Sequence, residues 1–291
     1  MDIYLQLLWN STALAALFAL STAAFSVVYS VTRVLYVAVG GVVLVSGYVF
    51  YFSLTHGFGW LGAVVFAVVI SGALGWILNT FVYENLRRSR PITGTAGMLA
   101  SVAVLIVLQN LALLLWSSQT IVVHSVFDTW SPWIVAGVRL SVLSVVTLAV
   151  AAVLIVALFL FMRCSRTGRA MRAVSDHEEM AEVVGVNTRR IRQLTFVGCS
   201  ALAGVAGILA ALHFNLEPSR AVNYAIEPFS VAVVGGLGSV GGAVVGAFLF
   251  QLLSNLGGYW FAAGLRTLFT FIVAFLFLLL RPQGLFGKKR I

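Results

Sequence analysis

Long apolar stretches with almost no charge recur along the whole chain. Each is about 20 residues long, which is what a helix needs to cross a bilayer core of about 30 Å. Of the 291 residues, 61% are hydrophobic and only 9% are charged, whereas a soluble domain carries roughly a quarter charged residues. An outer-membrane barrel would alternate polar and apolar residues, and these stretches do not. The sequence therefore predicts an all-α, polytopic helical membrane protein.

The apolar stretches predict about 8–9 spans, since one of the nine segments is short. The segments lie at about residues 8–31, 34–54, 60–83, 96–116, 141–162, 193–213, 226–236, 239–256 and 262–280. No cleavable signal peptide is expected, because Asp2 is the first charged residue and Arg33 the next.

The basic residues predict the orientation of the chain, because loops on the cytoplasmic side carry an excess of Lys and Arg. Placing Arg87 and Arg88 in the cytoplasm puts the N-terminus outside and the arginine-rich segment 163–192 inside. If the chain reverses within residues 235–242, 15 of the 18 Lys and Arg residues fall inside; with one span through 226–256, only 11 do. The charge distribution thus predicts a glycine-broken helical hairpin near a cytoplasmic C-terminus.

The glycine-rich segment contains a GxGxxG pattern at Gly236, Gly238 and Gly241. A dinucleotide site would need a soluble strand–turn–helix unit and an acidic residue about 20 positions later, but no acidic residue follows Glu227. Since segment 226–236 would be about 16 Å long as a helix, we expect the break near the middle of the membrane. The hairpin either borders a translocation pathway or only packs tightly against its neighbours.

Segment 163–192 is predicted to form two short helices on the cytoplasmic side. Thr167 is expected to cap a helix from Gly168 to Val174, and Ser175 with Glu178 to form a capping box for a second helix that stops at Gly185. Asn187 is expected to cap the sixth span. Two short polar helices suit docking to a soluble protein, and a solvated loop is the alternative.

The sequence offers no energy source of its own for transport. We expect no Asp or Glu in the middle of a span, because Glu84 and Glu227 are placed at span ends, and proton- or sodium-coupled carriers need such groups. No GxxxxGK[ST] motif is present, which excludes a P-loop ATPase. A transporter of this kind must draw its energy from a partner. A stand-alone secondary transporter is the rival hypothesis, and a membrane enzyme lacks any catalytic constellation.

Four motifs follow one another along the chain: Thr167-Gly168-Arg169-Ala170-Met171-Arg172-Ala173, Leu202-Ala203-Gly204-Val205-Ala206-Gly207, Val234-Gly235-Gly236-Leu237-Gly238-Ser239 and Arg281-Pro282-Gln283-Gly284-Leu285. Together they resemble the high-affinity branched-chain amino-acid ABC permease family. The resemblance implies one permease domain over residues 1–291 in a bacterial inner membrane. It also implies a homologous second permease, two cytosolic ATP-binding subunits and an extracytoplasmic solute-binding protein as partners. Membrane lipid is the remaining expected partner. Nucleic acid is not expected despite the net charge of +9, because the basic residues lie in short clusters between the apolar stretches.

The same resemblance implies site residues, with no catalytic residue, metal ligand or cofactor. Segment 163–192 would be the coupling loop that docks to the ATPases, through Gly168, Arg169, Arg172, Ala173, Asp176, Glu182, Gly185 and Arg189. The translocation pathway would be lined by residues of the second span and of the hairpin, namely Ala38, Val39, Gly40, Gly41, Gly235, Gly236, Gly238, Ser239 and Gly242.

Three positions depart from the family pattern. Val39 stands where His or Gln is usual, Glu227 where Lys is frequent, and Ser254 where an acidic residue is common. The resemblance implies an amino-acid substrate, branched-chain amino acids first. Because the three departures lie in or beside the expected pathway, other amino acids or urea and short amides are the alternatives.

Overall fold

The computed structural model describes residues 2–89, 94–123, 133–135, 138–260, 266–280 and 284–286. Within these ranges the chain is helical almost throughout. The helices are α1 Asp2–Thr32, α2 Val39–Thr55, α3 Trp60–Ile77, α4 Glu84–Ser89, α5 Gly94–Trp116, α6 Val142–Cys164, α7 Arg166–Asp176, α8 Glu178–Val183, α9 Thr188–His213, α10 Ala221–Gly235, α11 Val240–Trp260 and α12 Arg266–Leu280. A π-helical segment, Leu78–Tyr83, joins α3 to α4, and two short strands, β1 Trp133–Val135 and β2 Val138–Leu140, pair antiparallel.

Six helices in the described ranges are long and apolar enough to cross a membrane. They are Leu5–Thr32, Trp60–Arg87, Thr95–Trp116, Val142–Cys164, Thr188–His213 and Val240–Tyr259, and the shorter Val39–Thr55 is apolar too. The predicted polytopic all-α membrane fold is confirmed. Residues 262–265 of the ninth predicted span, residues 281–283 and the basic tail after Phe286 lie outside the described ranges.

Small residues allow α2 and α3 to approach α9 closely. The Ser46 hydroxyl of α2 donates a hydrogen bond of 2.7 Å to the carbonyl oxygen of Gly204 in α9. A methyl group at Gly75 of α3 would lie 2.6 Å from the carbonyl oxygen of Phe196 in α9. Because lipid provides no hydrophobic force between helices, such close packing and interhelical hydrogen bonds stabilise the bundle.

The second span begins later than predicted, because residues 33–38 are not helical. The Tyr36 hydroxyl in this segment lies 2.9 Å from the hydroxyl of Ser200, which is twelve residues, or about 18 Å, from the start of α9. Non-helical backbone at this depth is tolerated only where protein surrounds it, and Tyr36 and Ala38 are fully buried.

The chain reverses direction in the glycine-rich segment, as predicted. Gly236 and Gly238 have φ values of 102° and 87°, which glycine adopts without a steric penalty. The Ser239 hydroxyl then accepts a hydrogen bond of 3.0 Å from the backbone nitrogen of Gly242 in the first turn of α11. A methyl group at Gly246 would lie 2.9 Å from the carbonyl oxygen of Val231, so α10 and α11 pack as a tight antiparallel hairpin.

The break in this hairpin lies near one end of the bundle, so the predicted position near mid-membrane is wrong. A methyl group at Gly238 would lie 3.4 Å from the Cβ atom of Ser30, two residues before α1 ends. The reason is that α10 starts at Ala221 rather than 226 and is 15 residues long, or about 22 Å. The segment after α12 returns to the same place, where the nitrogen of Phe286 donates to the carbonyl of Gly235 at 3.0 Å.

Candidate functional site

The end of the bundle that carries α7 and α8 is called the arginine-rich end below. Ser165 is the N-cap of α7, and its hydroxyl accepts a hydrogen bond of 2.8 Å from the backbone nitrogen of Gly168. The predicted cap at Thr167 is therefore wrong. The predicted capping box is wrong as well, because Ser175 lies within α7 and α8 starts at Glu178. The predicted cap of the sixth span is confirmed, since the Asn187 side chain accepts from the nitrogen of Arg190 at 3.0 Å.

Five charged side chains at this end form one group, the Arg192 cluster: Glu84, Arg87, Glu178, Arg189 and Arg192. Arg192 is buried and pairs with Glu84 at 3.1 Å and with Glu178. Glu178 also pairs with Arg87 at 3.1 Å, and Arg189 lies 3.7 Å from Glu84. Of these five residues, only Arg189 was predicted to be a site residue, because these pairs form only after distant segments come together.

The Arg192 cluster connects the short helix α8 to three membrane helices. Glu178 belongs to α8, Glu84 to α4 at the end of the long third span, and Arg192 to α9. Arg87 completes the connection, since its second terminal nitrogen donates to the carbonyl oxygen of Thr32 at the end of α1 at 2.5 Å. These contacts fasten α8 to α1, α4 and α9 through one group of side chains.

The predicted coupling residues occupy two kinds of position. Gly168 is buried, and a methyl group there would lie 2.6 Å from the Cα atom of Met162, so it holds α7 against α6. Gly185 has a φ of 89° and ends α8. Gly185 and the remaining predicted coupling residues lie on the exposed surface of the arginine-rich end. The remaining residues are Arg169, Arg172, Ala173, Asp176, Glu182 and Arg189. Their role in coupling stays a prediction.

Three apolar side chains protrude from α8 and the residue after it, and together they are called the α8 tip. Met180 is 67% exposed, and Val183 and Val184 are each 83% exposed. Beside them, an open cleft of about 690 Å³ lies between α8 and the ends of α1 and α4. Arginine and acidic side chains surround the tip, so it lies beyond the apolar part of the bundle.

The predicted pathway residues Ala38, Val39, Gly40 and Gly41 are buried where α2 begins. A methyl group at Gly40 would lie 2.5 Å from the carbonyl oxygen of Ala221 in α10, and one at Gly41 would lie 2.8 Å from a methyl carbon of Leu108 in α5. These residues thus bring α2 into direct contact with the first turn of α10 and with α5.

The structure separates these residues from the other half of the predicted pathway. Gly235, Gly236, Gly238, Ser239 and Gly242 lie at the turn of the hairpin, at the arginine-rich end. Ala221, which contacts Gly40, is fourteen residues, or about 21 Å, from Gly235 along α10. Helix α10 is therefore the element that connects the two predicted groups.

Helix α10 has a polar face that was not predicted from the sequence. Arg220, Tyr224 and Glu227 follow the i, i+4, i+7 spacing that places residues on one face of a helix. Glu227 lies in the interior of α10, not near the start of its helix as the predicted start at 226 implied. The spacing is visible in the sequence. It was missed because the predicted span began at 226, which assigned Arg220 and Tyr224 to a loop and Glu227 to a span.

These features define a polytopic helical membrane protein with a charged helix pair at one end. Its family follows from comparison with known proteins. The chain belongs to the permease components of branched-chain amino acid transport systems, whose family model matches residues 7–280. The predicted family is thereby confirmed.

Curated relatives match over nearly the full length of both chains. The high-affinity branched-chain amino acid transport system permease protein LivH of Escherichia coli K12 is 28% identical over 303 residues, covering 99% of this chain and 97% of LivH. LivH of Salmonella typhimurium is 27% identical with the same coverage. The corresponding protein BraD of Pseudomonas aeruginosa is 26% identical, covering 99% of this chain and 97% of BraD.

Proposed function

We propose that this chain is the membrane permease subunit of a bacterial ABC importer for amino acids, branched-chain amino acids first, and that separate ATPase subunits drive it. Family membership over residues 7–280 supports the permease role. The observation that carries the dependence on ATPases is the α8 tip, an exposed apolar surface on a helix that the ion pairs of Glu178 join to the membrane helices.

The α8 tip would insert into a surface of the ATPase, with the exposed charges of α7 around it. Burying one valine side chain contributes about 1.5–3 kcal/mol, so Val183 and Val184 are sufficient to anchor a contact. When the ATPases close, they would displace α8, and Glu178 would pull on Arg192 of α9 and Arg87 of α4. Those helices would then change the access of the pathway from one side of the membrane to the other.

The arginine-rich end would face the cytoplasm of the inner membrane, with the N-terminus outside and the C-terminus inside. The positive-inside tendency supports this orientation, and residues 284–286 lie at the same end as α8 because they bond to the end of α10. A homologous second permease would complete the pathway, and a solute-binding protein would deliver the substrate at the opposite end. Tags placed at His177 and after Ile291 should both react only from the cytoplasmic side.

A stand-alone secondary transporter is the second candidate, and the observation that favours it is Glu227. An ionisable residue inside a membrane helix is the kind of group that ion-coupled carriers use. The α8 tip and the family assignment favour the importer, because a carrier that works alone has no use for an apolar docking surface beyond the membrane.

The docking hypothesis is tested by Val183→Asp, measured as co-purification of the ATPase subunits with the permease. Because Val183 is 83% exposed, the variant should fold normally, yet it should lose one buried side chain and thus about 10- to 100-fold in affinity for the ATPases. The matched control is Val122→Asp in the loop after α5 at the opposite end, where Val122 is 53% exposed. Equal ATPase binding by both variants would refute the docking role.

The substrate is tested with the solute-binding protein that we expect to be encoded beside this chain. A thermal-shift screen of amino acids, urea and short amides should show stabilisation by leucine, isoleucine or valine. The same ligand should then be taken up by proteoliposomes that contain both permeases, the ATPases and the binding protein, and only with ATP inside. Stabilisation by urea or amides alone would assign the importer to that substrate class instead.

A further inference from the structure

An apolar groove of about 440 Å³ lies between α6 and α9. Leu154, Leu158 and Phe161 of α6 form one wall, and Leu194 and Leu202 of α9 form the other. Their spacing of three, four and eight residues places them on one face of each helix. The groove therefore runs along the two membrane helices, starting near the arginine-rich end.

The groove has a buried floor and an exposed rim. Val27 of α1, Met171 of α7 and Cys199 of α9 line it and are buried. Phe161 and Leu194 also line it, but they are 45% and 52% exposed. The groove thus opens sideways, on the surface where a bilayer would surround the bundle.

The length of the groove matches one leaflet of a bilayer. Gly198 lines its middle, and a methyl group there would meet no other atom within 4 Å, so the recess is empty at this point. Arg190, one turn before Leu194, is twelve residues from Leu202, or about 18 Å along the helix. Half of a bilayer with its head groups is about 20 Å thick, so the groove has the depth of a single lipid molecule.

Three arginines lie at the mouth of this groove without an acidic partner in the described ranges. Arg163 is in the last turn of α6, Arg166 is the first residue of α7, and Arg190 is in the first turn of α9. Each is within four residues of a residue that lines the groove. All three are exposed, and none belongs to the ion pairs among described residues. Arg189 differs, since it lies 3.7 Å from Glu84.

The positions of these arginines favour an anion. Arg166 and Arg190 lie in the first turns of their helices, at the positive end of the helix dipole, where a cation is unfavourable. A nearby phosphate relieves this repulsion, and an arginine side chain can bind two phosphate oxygens at once. A ligand that fits both the mouth and the groove has a phosphate at one end and a long apolar chain at the other.

We propose that one anionic phospholipid binds here, with an acyl chain in the groove and its phosphate on Arg163, Arg166 and Arg190. Basic pockets between membrane helices are known to bind anionic lipid head groups. A soluble ATPase could match the charges, but it has no apolar segment to place in a groove that faces the bilayer. Thr167 and Met171 of α7 line the same groove, so the lipid also supports a helix that contacts the ATPases in the proposed function. The assignment to the cytoplasmic leaflet rests on the proposed orientation, whereas lipid binding itself does not.

Lipid binding can be measured by native mass spectrometry of the full chain purified in dodecylmaltoside. One molecule of dioleoylphosphatidylglycerol should bind several-fold more tightly than dioleoylphosphatidylethanolamine, which has the same acyl chains and no net charge. Glycerol 3-phosphate, which has the phosphate without the chains, should not compete at the same concentration. Equal affinity for the two lipids, or displacement by glycerol 3-phosphate, would overturn the inference.

The role of the mouth is tested by Arg190→Gln. The variant should bind phosphatidylglycerol about fivefold more weakly, the contribution of one arginine near an anionic lipid surface, and phosphatidylethanolamine as before. The matched control is Arg139→Gln, which removes the same charge from an exposed position at the opposite end of α6. An equal loss in both variants would show an effect of net charge alone, and the site would be refuted.

The role of the groove is tested by Gly198→Leu, which fills the empty recess and should abolish tight binding of phosphatidylglycerol. Gly241→Leu is the matched control, because Gly241 lies in α11 and also faces open space; it should bind the lipid normally. Both variants should elute like the unmodified chain in size-exclusion chromatography. If Gly198→Leu retains the lipid, the lipid lies elsewhere; if it releases the second permease from the purified complex, the groove is a contact between subunits. Either result would end the proposal.

The outcomes separate this inference from the proposed function. ATP-driven uptake by a permease that shows no preference for phosphatidylglycerol would overturn the lipid site and leave the importer intact. A preference that depends on Arg190 and Gly198, in a protein that transports nothing with ATPases present, would keep the lipid site and overturn the importer.

Discussion

Replacement of Arg192 by methionine should destabilise the protein more than any other single arginine substitution at the arginine-rich end. The Arg192 side chain is 9% exposed and that of its partner Glu84 is 10% exposed, so the variant leaves a carboxylate buried. Removing one partner of a buried ion pair costs about 3–5 kcal/mol. Glu84 keeps Arg189 at 3.7 Å, and Glu178 keeps Arg87, so we expect a loss near the lower limit, about 3 kcal/mol.

The free energy of unfolding can be measured by titrating the permease from dodecylmaltoside into SDS and following helicity by circular dichroism. Arg189→Met is the matched control, because the Arg189 side chain is 57% exposed and an exposed pair contributes at most about 1 kcal/mol. In the double variant Arg192→Met with Glu84→Gln, the uncompensated charge is gone, and most of the lost stability should return.

Two results would contradict this reasoning. If Arg192→Met and Arg189→Met lower the free energy of unfolding equally, burial does not govern the strength of these pairs. If the double variant is as unstable as the sum of the two single variants, Arg192 and Glu84 do not interact, since residues in contact should show a coupling energy.

Three further predictions concern packing, the C-terminal segment and coupling. Gly40→Ala should lower the free energy of unfolding by about 1–3 kcal/mol through overpacking, because the added methyl group would lie 2.5 Å from α10. The control Gly198→Ala, with open space around it, should be neutral or slightly stabilising in the same SDS titration. Gly284→Ala should accelerate hydrogen exchange at the Phe286 amide, because Gly284 has a φ of 74° and its methyl group would lie 2.7 Å from Gly236; unchanged protection would show that the segment does not depend on this glycine. Arg172→Ala should reduce uptake per ATP hydrolysed without affecting membrane insertion, and unchanged coupling would exclude Arg172 from the docking surface.

The sequence was sufficient for features that depend on neighbouring residues and on the solvent. The length and apolarity of the spans follow from the thickness of the bilayer, which leaves a helix as the available conformation. The reversal at Gly236 and Gly238 was predictable because charge placement demanded it and because glycine tolerates the required positive φ. The Asn187 cap was predictable because Asn is a preferred residue immediately before the first turn of a helix.

Helix limits inside the polar segments were harder to predict, because several residues there could serve as caps. Ser165, Thr167 and Ser175 all carry suitable hydroxyls, and contact between α7 and α6 at Gly168 selects Ser165. For α10, the loop before it pairs with the segment after α5, where Leu216 pairs with Ile121. That contact allows the helix to begin at Ala221, and so it places the break at the end of the bundle.

The tertiary structure alone decided which charges meet. Glu84 and Arg192 are 108 positions apart, and Arg87 and Glu178 are 91 positions apart, so no local spacing relates them. The same holds for Ser46 and Gly204, which are 158 positions apart and share a hydrogen bond between α2 and α9. Helices in a membrane form from their own residues and the lipid around them, whereas the partners of buried polar groups are chosen when the helices pack together.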